Sequence, residues 1–381
     1  MDSRLPDPAG SRDRARRVDN KRRTGRTAPQ IGEHNLRVTL EAIRRDGPLT
    51  RLELGRRSGL SAPGITNILR RLGDDGLITA RKRVEPGSGQ PASEFAVNPE
   101  GAFGIGVRLD GGAGEAVLVD LGGAVRRREM FPLGGDAAKA IAAAVRPMIA
   151  RGVPAGRLLG VGIGTPALPA LRLDEVAKAL SPAAVFAERD CVAALLAERT
   201  FGVGVVEGGV MLIVVSETVR AGFLFRGVPF EGVHGRAGSI GEMRTGVDHV
   251  PLDTIASLDV LRSVMTTDER AALAMGVDVP VSPAIRQWLR AAAAHLLDAI
   301  VATAGFLAPG AILIGGDLPR NLISALIAQM SVERGDTAIR PFITPWISPI
   351  RPATFPGAGI AIGAALLPFF DTLLPSPMAA A

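Results

Sequence analysis

"FGIGVRLDGGAGEAVLVDLGG", residues 103–123, interleaves apolar residues with glycine and breaks at a single glycine-rich turn. The pattern predicts two strands joined as a hairpin. Bare backbone N–H groups at glycine can approach an anion closely, so hairpins of this kind often cradle a phosphate. The charged residue facing this turn is Arg108, where a metal-binding or catalytic carboxylate would be expected. The hairpin therefore belongs either to an enzyme or to the shell of one.

Downstream, apolar segments predict strands at 103–109, 115–121, 157–164, 208–215, 220–226 and 311–315. Helices are predicted at 136–151, 188–200, 253–265, 283–307 and 319–330, with a last one near 357–375. Strands alternating with helices give an α/β domain, and the length from Gly101 onward fits two lobes. "AILIGGDLP" (311–319) is a buried strand ending in a glycine turn before a helix, a frequent edge of nucleotide or sugar sites. The apolar runs 291–307 and 357–374 are interrupted by His295, Asp298 and Pro368, so they read as buried helices rather than membrane spans. No apolar segment follows the basic start, so no signal peptide is expected, and the chain reads as cytoplasmic.

Cys191 is the only cysteine, which excludes a disulfide framework and a multi-cysteine zinc cluster. The histidines, at 34, 234, 249 and 295, show no metal-ligand spacing. Neither a metal nor a cofactor is expected. The net charge of +6 is concentrated: residues 1–96 hold 20 Lys/Arg against 12 Asp/Glu, so the rest of the chain is slightly acidic. That asymmetry points to a polyanion as partner of the N-terminal quarter.

Residues 1–30 are polar and Arg-rich without apolar periodicity, and read as a disordered basic tail. In "HNLRVTLEAIRRDG" (34–47), Leu36, Leu40 and Ile43 form one stripe, and Thr50 with Glu53 forms a capping box for a second helix. In "LSAPGITNILRRLGDDG" (60–76), Ser61 is an N-cap, and Ile65, Ile68, Leu69 and Leu72 fall on one buried stripe. Ser61, Ala62, Pro63, Thr66, Asn67 and Arg70 lie outside that stripe. Three helices with a tight glycine turn before the third make a helix-turn-helix. "GLITARKRVEPGSGQPASEFAVN" (76–98) adds two strands as a wing, with Arg81, Lys82 and Arg83 placed for phosphates and Gln90 at a tip sized for a minor groove. A plain three-helix bundle could share the stripe, but not the basic wing and the charge asymmetry together. The expected partner is a double-stranded DNA operator, read by residues 31–97.

The order of parts now resembles a known family. A winged helix-turn-helix runs into "AVNPEGAFGIGVRLD", a glycine-turn hairpin, "ERDCVAALLAERTFG" (188–202), "HGRAGSIGEM" (234–243) and "ILIGGDL". This resembles the ROK family (repressor, open reading frame, kinase) in its transcriptional-repressor branch, over about residues 33–375. The resemblance implies a two-lobed actin-like, ribonuclease-H-type body at 98–381 whose C-terminal helix packs back on the first lobe. It also implies operator binding as a homodimer or homotetramer, with release on binding a sugar or sugar phosphate.

Departures from the family pattern bear on activity. Arg108 stands where the kinases carry an Asp that serves the metal–ATP phosphates, and Asp110 replaces a turn glycine. A guanidinium there removes a metal ligand and inverts the local charge. In "VVSETVRAG" (214–222), Ser216, Glu217, Thr218 and Arg220 stand where the family favours Gly or Thr, and Glu217 would repel a triphosphate. Phosphoryl transfer depends on positioning and charge neutralisation, so no kinase activity and no catalytic residue are expected. The family's His-and-three-Cys zinc motif is replaced by "GEMRTGVDHVPLDTIAS" (241–257). Asp190 matches the family's base, flanked by Arg189 and Val192 in place of Asn. Glu242 stands for a His and Asp253 for a Glu. Carboxylates accept vicinal sugar hydroxyls, so Asp190, Glu242 and Asp253 are the candidate ligand contacts, and the nearby arginines would favour an anionic ligand. Two other readings stay open: an active sugar kinase with a DNA-binding appendage, or a regulator whose body binds nothing and only oligomerises.

Overall fold

The computed structural model describes residues 28–83, 92–110, 112–166, 171–335 and 347–377. Helix α1 (Ala28–Asp46) begins inside the stretch read as tail, and its second residue is Pro29. Proline is tolerated there because the N–H it lacks would have had no intrahelical partner. The remainder of the predicted tail lies outside the described residues. Leu36, Leu40 and Ile43 are buried. Strand β1 (Leu49–Thr50) leads into α2 (Arg51–Ser58) through the predicted capping box, in which Glu53 N donates to Thr50 Oγ1 and Thr50 N donates to Glu53 Oε2. Gly59, at φ 67°, closes the helix in the left-handed region. Helix α3 (Ala62–Asp74) starts from the N-cap Ser61 and buries Ile65, Leu69 and Leu72, with Ile68 half-buried. Strands β2 (Ile78–Arg83) and β3 (Ala92–Val97) pair antiparallel, and β1 lies on the far side of β3.

The first lobe contains β4 (Phe103–Asp110), β5 (Ala113–Asp120), β6 (Val125–Pro132), α4 (Ala137–Gly152), β7 (Leu158–Thr165), α5 (Leu173–Leu180) and β8 (Val185–Arg189). Its sheet runs β6-β5-β4-β7-β8, with β4, β7 and β8 parallel and the first two strands antiparallel. Helix α6 (Asp190–Phe201) leads out of it. The second lobe holds β9 (Val210–Val215), β10 (Val219–Phe225), β11 (Val228–Pro229), the β12 (Arg244–Thr245) and β13 (Val250–Pro251) ribbon, α7 (Asp253–Ala256), α8 (Leu258–Val264) and α9 (Thr267–Ala274). It continues with α10 (Pro283–Leu307), β14 (Ala311–Gly316), α11 (Arg320–Gly335) and β15 (Ile350–Pro352), after which α12 (Gly359–Thr372) returns to pack on the first lobe's sheet. The second lobe's sheet order is β11-β10-β9-β14-β15. The predicted helix 253–265 is therefore two helices, broken at Ser257, where the backbone is extended.

Period-two alternation decides which layer each strand serves. In β4, Phe103, Ile105, Val107 and Leu109 enter a core with α4 and α5, while Gly104 and Gly106 turn toward α12. A Cβ on Gly106 would overlap the Ala361 carbonyl, and one on Gly162 of β7 the Ala364 carbonyl. These strand glycines give the C-terminal helix a close seat on the sheet, a packing role the phosphate reading did not foresee. In β9, Met211, Ile213 and Val215 face α10 and α11, while Val210, Leu212 and Val214 face α6 and α12. Among the described residues, α10 is long and apolar enough to cross a membrane, but Ile285, Trp288, Leu289, Leu296 and Ile300 are buried in this second core.

The helix-turn-helix unit is fastened to the ends of α6 and α12. Arg37 Nη1 donates to Phe370 O at 3.3 Å, and Arg44 Nη2 donates to Thr200 O at 3.4 Å. The Arg44 guanidinium also lies 5.0 Å over the Phe201 ring. Arg157 Nη1 donates to Asp75 O at 2.7 Å and to Gly101 O at 3.1 Å.

Candidate functional site

On α3, the side opposite the buried stripe exposes Ser61, Ala62, Pro63, Thr66, Asn67 and Arg70. Two of the polar groups are engaged locally: Ser61 Oγ accepts from Gly64 N, and Thr66 Oγ1 donates to Ala62 O at 2.8 Å. Asn67 makes no side-chain hydrogen bond among the described residues. Arg70 is only loosely paired, 3.6 Å from Asp74, with both side chains about 70% exposed. Asn67 and Arg70 are thus the free donors of the helix. Arg81 and Lys82 are exposed on β2, Arg83 ends that strand, and Gln90 lies outside the described residues.

At the hairpin, Arg108 stitches the two lobes together. Its guanidinium is 12% exposed, lies 2.6 Å from Asp110 Oδ2, contacts Asp317 Oδ1 just past β14, and donates to Gly357 O at 3.4 Å. Ser216 Oγ donates to the other Asp317 oxygen at 2.6 Å. Glu115 is buried behind the cluster and is held by Arg128 at 2.6 Å. The resemblance would run a triphosphate between the two glycine turns, and that path now holds Asp110 and Asp317 on Arg108, with the Glu217 charge, 3.8 Å from Arg262, acting on Asp110 from nearby. Burial and the neighbouring Asp317 push the Asp110 carboxyl up to about 6, against the pull of Arg108. The folded value exceeds the unfolded one, so this group lowers stability as pH rises through roughly 4 to 6. Asp110→Asn should therefore raise the melting temperature at pH 7.5 and leave it nearly unchanged at pH 4, read by calorimetry at both. A loss at pH 7.5 would show that Asp110 is a net attractive partner of Arg108.

Two of the three predicted ligand carboxylates, Asp190 and Asp253, lie near Arg220, and the third, Glu242, lies near Asp253. Asp190 is buried at the start of α6, and Arg220 Nε donates to its oxygens at 3.0 and 3.2 Å, so the carboxylate is neutralised rather than free. Asp190 Oδ1 also accepts from Cys191 N at 2.7 Å. Asp253 Oδ1 accepts from Val219 N at 2.6 Å. Burial pushes the Asp253 carboxyl up, Val219 N–H and Arg220 pull it down, and nearby Glu242 pushes it up again. Glu242 is exposed. The sequence places Arg220 in the way of a triphosphate and, with Arg108 and Arg189, among the arginines that would favour an anionic ligand, but no sequence signal pairs positions 190 and 220. Arg189 turns away and donates to Ala237 O at 2.6 Å, latching the "HGRAGSIGEM" loop.

The loop that replaces the zinc motif is tied to α10: Thr245 Oγ1 and His295 Nδ1 are 2.8 Å apart, and Gly246 N donates to Asp298 at 3.0 Å. His249 is exposed, and among the described residues no three His, Cys, Asp or Glu side chains could hold a metal.

The winged helix-turn-helix DNA-binding family matches residues 34–79. Protein y4fQ of Sinorhizobium fredii (strain NBRC 101917 / NGR234), itself uncharacterized, is 26% identical over 365 residues, covering 88% of this chain and 91% of that protein. Among solved structures, a ROK family transcriptional regulator, homolog of the E. coli MLC protein, superposes with a TM-score of 0.69 at 22% identity, over 91% of this chain and 99% of its own. A ROK family glucokinase from Streptomyces griseus, in complex with glucose and AMPPNP, reaches 0.55 at 19% identity over 70% of this chain and 99% of its own. At 91% of this chain the regulator match must take in head as well as body, whereas the kinase match, at 70%, is no longer than the body. This chain therefore has the fold of the ROK-family transcriptional regulators, a winged helix-turn-helix joined to a two-lobed ROK body.

Proposed function

We propose that this protein is a DNA-binding transcriptional regulator, a repressor of sugar uptake or catabolism, whose body senses a small molecule and does not phosphorylate it. The observation that carries this is the exposed, donor-bearing face of α3 beside a basic β2. An α-helix fits the major groove, where Asn favours adenine and Arg favours guanine. A homodimer or homotetramer in the cytoplasm would pair two such heads over an inverted repeat. The absence of turnover is supported by the ion-paired cluster at Arg108 and by the pairing of Asp190, the position of the family's base, with Arg220.

Helix α6 links the two jobs. Its first residue is Asp190, and its last turn meets Arg44 of the head. A sugar or sugar phosphate that exchanges with Arg220 for the carboxylates Asp190, Asp253 and Glu242 would bias the seat of the head, provided it binds one arrangement better. The experiment selects genomic DNA fragments on the purified protein and repeats the gel shift with a panel of sugars and sugar phosphates. Retention of an inverted repeat, released by one panel member, is expected. Failure to retain any fragment preferentially would overturn the regulator reading, and turnover of ATP with a sugar would overturn the non-enzymatic one.

A further inference from the structure

The cleft between the lobes holds a cavity of about 760 Å³ that neither the DNA face nor the Asp190 group uses. One wall is the hairpin, with Arg108, Asp110, Glu115, Arg128 and Met130, and the other comes from α8, α9 and the start of α11. Its volume is in the range of sites for drug-sized ligands. Five arginines and four carboxylates line it, and their pairing is uneven. Arg108 serves Asp110 and Asp317, Arg128 serves Glu115, and Arg262 lies 3.1 Å from Asp259. Arg270 and Arg320 have no carboxylate within ion-pair distance among the described residues, and Asp278 has no cation.

Both unpaired guanidinia are anchored by main-chain carbonyls. Arg270 donates to Met265 O through Nε and Nη2 at 3.1 and 2.8 Å, and Arg320 Nη2 donates to Thr354 O at 3.2 Å. Each is thus oriented along one edge while other donors of the planar fork stay open, the arrangement that recognises a carboxylate or a phosphate ester. Leu258, Leu273, Met275, Leu318 and Pro319 supply apolar wall beside them. The deep end is closed to a triphosphate by the carboxylates around Arg108.

We propose that this cleft is a second ligand site, for a small organic anion with an apolar body and one carboxylate or phosphate-ester group held by Arg270 and Arg320. The proposal does not depend on the Asp190 reading. Because the two walls belong to different lobes, an occupant would also set how far the cleft closes.

Isothermal titration of the full chain with phenyl phosphate, phenylacetate, inorganic phosphate and magnesium–ATP tests it. At least one aromatic anion should bind with a submillimolar Kd, and which one binds assigns the phosphate-ester or the carboxylate head group. Arg270→Ala with Arg320→Ala should weaken it tenfold or more. Arg286→Ala with Arg290→Ala, which removes the same charge from α10, should leave it unchanged. Should the alanine pair melt early, Arg270→Lys with Arg320→Lys keeps the charge without the fork and should still weaken binding severalfold. Binding of neither aromatic anion, equal losses in both alanine pairs, inorganic phosphate binding as tightly as phenyl phosphate, or magnesium–ATP binding more tightly than either would overturn the proposal. A gel shift without added ligand reads the DNA function separately, so its failure is distinguishable from failure of this site.

Discussion

Replacing Asn67 and Arg70 together with alanine is expected to weaken operator binding by about a thousandfold, and each single change by one to two decades. A good bidentate base contact is worth about 1–3 kcal/mol, and losses at separate base pairs add approximately. Both side chains sit on the exposed side of α3, three residues apart, with Ile65, Leu69 and Leu72 holding the opposite side in the core. Stability should barely move. The Arg70–Asp74 pair is a loose surface contact, a class worth about 0–1 kcal/mol. Arg71 provides the comparison, since it points toward Glu33 at 3.3 Å and belongs to the head's own surface. Arg71→Ala should cost under tenfold, seen as a weaker salt dependence rather than altered sequence preference. Arg81→Ala and Lys82→Ala on the wing should likewise weaken specific and nonspecific DNA alike. Unchanged affinity in the double α3 variant would take this helix out of sequence reading.

How much of this was legible in the sequence differs between the head and the body. The head could be read almost entirely, because caps and stripes are local: Thr50 with Glu53, Ser61 before Ala62, and leucines at helical spacing. The body was harder. Strand β6, "VRRREMFP", has six of its first seven residues exposed, so an edge strand carried no alternation and went unread. The elements α5, β8 and α9 were missed because, at eight, five and eight residues, each is shorter than the stretch over which an apolar period can be read. Glycines at 104, 106 and 162 marked strands correctly but said nothing of α12, two hundred residues and more further on, whose carbonyls require them. At the candidate site the charge inversion at Arg108 was legible, whereas its partner Asp317 was not. The same holds for Asp190 and Arg220. A sequence shows which charges are present; only the fold shows which ones cancel.

Those cancelled charges give the second large effect. Arg108→Met should destabilise the folded protein by about 3–5 kcal/mol at pH 7.5, the usual cost of removing one partner from a buried ion cluster. Methionine fills similar space, so most of the loss is electrostatic: Asp110 and Asp317 are left facing each other, with Glu115 and Glu217 acting on the same region. The sign with pH follows. Asp110 is already raised to about 6 with the guanidinium in place, and removing that cation raises it further. The folded protein then holds a proton that the unfolded chain has released, so stability falls as pH climbs through the interval between the two values. The penalty should therefore be small near pH 4 and largest above pH 7, measured as denaturant midpoints across that range. Adding Asp110→Asn and Asp317→Asn to Arg108→Met should recover most of the loss at pH 7.5, because it removes the stranded charges along with their counterion. If Arg108→Met melts like the parent at every pH, the cluster does not bind the lobes together. Were that so, Arg108 would be free to swing away from the glycine turn, and the strongest physical argument against a triphosphate in this cleft would go with it.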